Sequence, residues 1–206
     1  MRLVQFLILL VPIVVFADQV KFQSYTTVQK KIFWVKLYPN GGNTLYCNQH
    51  FVDRSPLNIE HVYPVAWMVD HLGCGSRKKC RRDPKNRVRF GRMEADLHNL
   101  FPVMAGFKSA RSNKTFGIIP GEKHALGFCD FELDEHLDLV EPRPGARGII
   151  ARTILYMNSE YQLPVKPWLF DTIKQWHKDY PLSTWEIWRN EMIFKLQGNR
   201  NQFIGK

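Results

Sequence analysis

The chain has 206 residues, 45% hydrophobic and 23% charged, with 29 Lys and Arg against 19 Asp and Glu for a formal charge of +10. These are ordinary globular values, enough for one domain with a real core. A basic balance of this size favours polyanions such as nucleic acid or anionic surfaces, and past residue 17 no stretch is apolar and long enough to span a bilayer.

At the N-terminus Arg2 gives a short positive region, and Leu3 to Phe16 is almost wholly apolar. Small residues at Val15 and Ala17 precede the polar Asp18-Gln19. This pattern predicts a signal peptide over residues 1–17, cut after Ala17, and a single domain over 18–206; a buried N-terminal helix is the competing reading. The mature protein is then expected to be soluble, a monomer away from the membrane, and periplasmic or secreted. Cys47, Cys74, Cys80 and Cys129 are an even set in an oxidising compartment, which favours disulfides over a zinc site lacking paired C-x2-C knuckles. Three pairings are possible; Cys74–Cys80 and Cys47–Cys129 are preferred.

Phe22 to Tyr38 reads as a helix running into a turn at Pro39-Asn40-Gly41-Gly42. Thr44 to Cys47 and Ile59 to Val62 read as short strands, and Pro64 to Met68 as the start of a helix. Leu97, Leu100, Phe101, Val103 and Met104 lead into a helix ending near Asn113-Lys114. Three helices are expected after that. Gly145 to Tyr161 and Lys166 to Lys178 carry apolar residues at three- and four-residue steps. Ser183 and Glu186 form a capping box for the third, with Trp185, Trp188, Met192 and Leu196 as its buried stripe.

The chemistry is concentrated between Asn58 and Asn113. Glu60 and His61 are neighbours on a strand, so their side chains leave opposite faces and can serve different partners. A neutral imidazole can take a proton from water, and a carboxylate with an amide oxygen suits a hard divalent ion. Nine basic residues lie between Arg77 and Arg92, with Asp83 the only acid among them. This run reads as a surface gripping phosphates without reading bases, or as a solvated loop. Asn99 and Asn113 complete an order of His, Asn, Asn.

Ile59-Glu60-His61-Val62-Tyr63, Cys80-Arg81, the run Arg92 to Leu100 with Pro102, Ser109 to Asn113, Ala146 to Thr153 and Gln197 to Asn201 together resemble the bacterial endonuclease I family of periplasmic or secreted non-specific nucleases. The resemblance spans nearly the whole mature chain. It implies an α+β fold of mixed topology around a ββα-metal (His-Me finger) core, with a largely helical C-terminal third. It implies one Mg2+, replaceable by Ca2+ or Mn2+, on Glu60 and Asn113, with His61 as general base and Arg81 supporting the phosphate. Asn99 would orient the hairpin or the His61 ring. Arg77, Lys78, Lys79, Arg82, Arg92 and Arg111 are expected along the nucleic-acid backbone. The implied activity is endonucleolytic hydrolysis of DNA, and of RNA, to 5′-phosphorylated oligonucleotides. Cys47-Asn48-Gln49 departs from the Cys-Gly-Cys common in that family, and Gln202 from its commoner Pro. The alternatives are a cationic binding protein without catalysis and a nuclease acting chiefly on RNA.

Overall fold

The computed structural model describes residues 19–121 and 127–205, so the leader expected over residues 1–17 lies outside them. The Ser24 side chain accepts the Thr27 N–H and starts α1 (Tyr25–Val28), which runs on as a π-helix over Gln29–Leu37. The strand expected over Thr44 to Cys47 is instead a turn between β1 (Gly42–Asn43) and β2 (His50–Phe51). Thr44 closes that turn, its N–H donating to the Gln49 carbonyl and its hydroxyl accepting the Gln49 N–H, while Asn48 adopts a positive φ.

β3 (Leu57–His61) pairs antiparallel with β4 (Leu100–Met104), with Ile59 opposite Pro102 and His61 opposite Leu100. Between them run α2 (Val65–Leu72), α3 (Arg77–Cys80), α4 (Arg87–Ala95) and a 3-10 turn over Leu97–Asn99. The apolar run expected to lead into a helix is thus a buried strand. Pro102 lacks the N–H a helix would use, and the helix proper, α5, covers only Ala105–Arg111 and packs on both strands. A second sheet follows, with β5 (Thr115–Phe116) parallel to β7 (Leu139–Pro142) and β6 (Phe131–Asp134) antiparallel to β7.

The chain then becomes helical, as the periodicity predicts. α6 (Pro144–Tyr161) buries Ile150, Ile154, Met157 and Tyr161, and α7 (Pro167–Asp179) buries Leu169, Ile173 and Trp176. α8 (Thr184–Gln197) opens on the Ser183–Glu186 capping box with both reciprocal hydrogen bonds present. Its stripe differs from expectation. Trp188 is 48% exposed, and the buried positions are Glu186, Arg189, Asn190, Ile193 and Gln197, with Trp185, Met192 and Leu196 partly buried. The face turns inward because its polar groups have internal partners. Glu186 takes two hydrogen bonds from buried Arg152, and Arg189 donates to the carbonyls of Leu97 at 2.7 Å and Leu100 at 2.6 Å. The fold is therefore α+β, small sheets wrapped by helices, with a mostly helical C-terminal region.

Both preferred disulfides, Cys47–Cys129 and Cys74–Cys80, are present. They close loops of very different length, 82 and 6 residues. The chain-entropy account gives about 4.5 kcal/mol for the long closure and about 2 kcal/mol for the short one. In urea denaturation the Cys47→Ser, Cys129→Ser pair is expected to lose roughly twice the stability lost by the Cys74→Ser, Cys80→Ser pair. Equal losses count against that account.

Beneath the β3–β4 hairpin a polar knot replaces hydrocarbon. Asp96 is fully buried and accepts from the hydroxyls of Tyr156 (2.7 Å) and Tyr161 (2.6 Å), the His98 N–H (2.9 Å) and the Gln197 amide (2.8 Å). His98 lies 4.6 Å from the Tyr156 ring, and its Nε2 meets the Asn199 carbonyl at 3.2 Å. Burial pushes its pKa down to about 4, against the pull of Asp96. Since the unfolded imidazole binds its proton near pH 6.5, the folded state loses stability as pH falls from there towards 4. A His98→Phe variant should flatten the slope of unfolding free energy in that window by about 1.4 kcal/mol per pH unit. An unchanged slope would mean that His98 does not titrate with unfolding.

Candidate active site

Asn99, completely buried at the end of the 3-10 turn, fastens the segment that follows His61. Its Oδ1 accepts the Tyr63 N–H at 2.7 Å, its Nδ2 donates to the Tyr63 carbonyl at 3.0 Å, and its own carbonyl takes the Val62 N–H at 3.1 Å. Three hydrogen bonds from one residue fix where β3 ends. From the other side Arg111, at the end of α5, donates to the carbonyls of His61 (3.0 Å) and Val62 (2.7 Å). The backbone around His61 is thereby held on two flanks.

The His61 ring is 6% exposed, and its Nε2 lies 2.9 Å from the Glu94 carbonyl oxygen. A carbonyl can only accept, so Nε2 carries the hydrogen and Nδ1 carries the lone pair. Among the described residues Nδ1 makes no hydrogen bond. The Tyr25 ring lies against the imidazole at 5.0 Å between centroids. Burial holds the His61 pKa down at about 3, with Arg77, Lys108 and Arg111 adding to it and the Glu94 bond opposing. The ring is neutral at physiological pH with a defined tautomer.

Glu60 points into a different neighbourhood, as neighbours on a strand must. Its Oε1 accepts from the Tyr46 hydroxyl at 3.0 Å and from Arg111 at 3.1 Å. Burial raises its pKa, opposed by Arg111, Tyr46 and Lys108. Arg111 is 1% exposed and also covers the Phe116 ring. It is thus a buried cation, where the sequence reading expects an exposed base along a nucleic-acid backbone. Lys108, one helical turn earlier on α5, donates from Nζ to the Ile59 carbonyl at 2.5 Å. Its ammonium acts across space on both Glu60 and His61.

The basic run supplies two guanidiniums at the mouth. Arg81 pairs with buried Glu94 through Nε (2.9 Å) and Nη2 (2.7 Å), and Arg77 pairs with the same carboxylate while covering the Tyr25 ring. Their side chains are about two-fifths exposed, at 41% for Arg77 and 42% for Arg81, so each keeps a face for an anion. Lys78, Lys79 and Arg82 are exposed on or beside α3, and Arg92 is half-buried on α4. Glu94 thus serves twice, its carbonyl orienting His61 and its carboxylate orienting the arginines. Sequence reasoning missed it, although an acid directly after nine bases was the available signal. Lys108 and Tyr25 were missed as well. Lys108 and Arg111 stand three apart on one helix, and that spacing was legible.

Asn113 lies past the end of α5, in an exposed turn after Ser112, whose φ is 50°. Among the described residues it makes no hydrogen bond to Glu60 or His61. The α5 side chains directed at β3 are Lys108 and Arg111, both cationic. No group of three His, Cys, Asp or Glu side chains gathers among the described residues. With one Glu60 oxygen doubly occupied and the Lys108 ammonium acting on the carboxylate through space, the donor set suits a divalent ion poorly.

Comparison with known proteins places the chain in a family. The Endonuclease I family model matches residues 19–206. The chain is 31% identical over 204 residues to Endonuclease-1 of Buchnera aphidicola subsp. Acyrthosiphon pisum (strain APS), covering 86% of this chain and 80% of the relative. It is 33% identical over 211 residues to a periplasmic deoxyribonuclease of Aeromonas hydrophila, covering 89% and 86%. To an extracellular deoxyribonuclease of the same organism it is 39% identical over 157 residues, covering 74% and 66%. With a matched model running from Gln19 to the last residue and relatives aligned over most of both chains, this protein belongs to the Endonuclease I family.

Proposed function

We propose that this nuclease hydrolyses DNA phosphodiesters without sequence preference, His61 Nδ1 taking the proton of the attacking water. What supports this reading above all is the imidazole itself: neutral, fixed in the tautomer a base needs, and set beside guanidiniums with free faces. The backbone phosphate would lie against Arg77 and Arg81, where paired N–H donors match phosphate oxygens. Lys78, Lys79 and Arg82 extend the grip along the strand, and nothing in such a grip depends on base identity. RNA shares the backbone and is proposed as a second substrate. The products are a 5′-phosphate and a 3′-hydroxyl.

Nucleases of this family typically need a divalent metal. Mg2+ on Glu60 and Asn113 is the arrangement the family resemblance implies, but the donors around Glu60 suit it poorly, and no step is assigned to an ion. Export is proposed from the leader over residues 1–17, the two disulfides and the printed names of the Aeromonas relatives. The test is incubation of purified oxidised protein with supercoiled plasmid. Nicked and then linear products are expected. A mobility shift without nicking would replace the nuclease reading with that of a cationic DNA-binding protein.

A further inference from the structure

Arg77, Arg81, Lys108 and Arg111 surround Glu60, His61 and Glu94, so four cations face two carboxylates and a neutral ring. Glu94 is engaged by Arg77 and Arg81, and one oxygen of Glu60 by Arg111 and Tyr46. The fourth cation is the ammonium of Lys108, anchored by a carbonyl of the same strand that carries Glu60. A divalent ion brought to Glu60 would have to enter this already positive pocket and displace or repel that ammonium. A phosphodiester entering it meets no such penalty.

We propose, resting on the assignment of His61 as base, that the Lys108 ammonium takes the place of a divalent ion in this nuclease, neutralising the reacting phosphate while excluding metal from Glu60. In the step so formed, the water oxygen bonds to phosphorus as its proton passes to His61 Nδ1. The bond from phosphorus to the 3′ oxygen breaks, that oxygen leaves with the bonding pair beside Lys108, and solvent protonates it. The imidazolium then returns its proton to solvent. Atoms and charge balance with water as the only co-reactant. A fixed ammonium can stabilise developing negative charge in the way an ion does, with nothing to bind first.

The decisive experiment reads metal binding apart from turnover. Mn2+ is titrated into the oxidised full chain, and free ion is followed by electron paramagnetic resonance for wild type, Lys108→Asn and Lys108→Asn with Glu60→Gln. Wild type should leave the free-ion signal at the protein-free level, Lys108→Asn should withdraw about one equivalent, and the added Glu60→Gln should restore the signal. A wild-type chain that binds one Mn2+ through Glu60 overturns the proposal. So does a Lys108→Asn chain that binds none, because the lysine is then not what keeps metal out. In the parallel plasmid assay wild-type nicking should change less than about twofold between Mg2+ and excess EDTA, and Lys108→Met should nick about 100-fold more slowly in EDTA. Wild-type activity that vanishes in EDTA also overturns it. A wild type inactive under every condition removes the nuclease reading instead, leaving the metal titration to decide the role of the lysine.

Discussion

His61→Ala is expected to lower plasmid nicking about a thousandfold while the protein stays folded and still binds DNA. The magnitude follows from what the ring supplies. Water is a poor nucleophile at neutral pH, and a positioned base is worth roughly two to four orders of magnitude. Folding should survive because the ring makes one hydrogen bond, to a backbone carbonyl, while the surrounding chain is fastened independently by Asn99 and Arg111. Binding should survive because the phosphate contacts proposed above fall to Arg77, Arg81 and the exposed bases of α3. Kinetics with supercoiled plasmid, alongside fluorescence anisotropy on a short duplex, separate the two quantities. Near-native cleavage by His61→Ala would remove the assigned base. A collapse of affinity together with rate would show that the ring holds substrate instead.

The second large effect falls on a residue that composition places among surface bases. Arg111→Met keeps the length of the side chain but removes the partner of buried Glu60 and the donors to two carbonyls at the end of β3. Breaking a buried pair from one side costs about 3–5 kcal/mol, because the remaining charge is left in a low-dielectric interior. For a domain of this size that is a fall in Tm of roughly 6–20 °C. Lys79→Met, removing an exposed base, should change stability by less than about 0.5 kcal/mol. Differential scanning calorimetry of the two variants decides the matter, and similar small shifts would mean that Arg111 is not the strut described here. Adding Glu60→Gln to Arg111→Met should recover part of the loss, since the two residues share one interaction.

What could be read from the chain itself follows the range of the forces involved. Local periodicity carried α6, α7 and the start of α8, because three- and four-residue steps and a capping box are complete within a few turns. Leu100–Met104 was misread because a short apolar run looks alike in a buried strand and a buried helix, and only the pairing with Leu57–His61 distinguishes them. Trp188 was misplaced because hydrophobicity alone assigns a tryptophan inward, whereas α8 turns Arg189 and Gln197 inward to satisfy carbonyl and amide groups some ninety to a hundred residues upstream. In the site, Glu60 and His61 stood out as adjacent chemistry. Glu94 and Lys108 did not, since one acts through a carbonyl 33 residues from His61 and the other through a carbonyl 49 residues from itself. Arg111 was counted among the surface bases because charge says nothing about burial.

The inward face of α8 also bears on how firmly the β3–β4 pair is held. Arg189 and Gln197 cap the very turn that carries Asn99, Asn199 joins His98 of that turn to Tyr156 of α6, and Asn201 ties the segment after α8 to Arg152 of the same helix. Local opening of α8 therefore unbraces the turn that carries Asn99, and through Asn99 the segment that follows His61. Stability of α8 and order at His61 are thereby linked, one opening with the other.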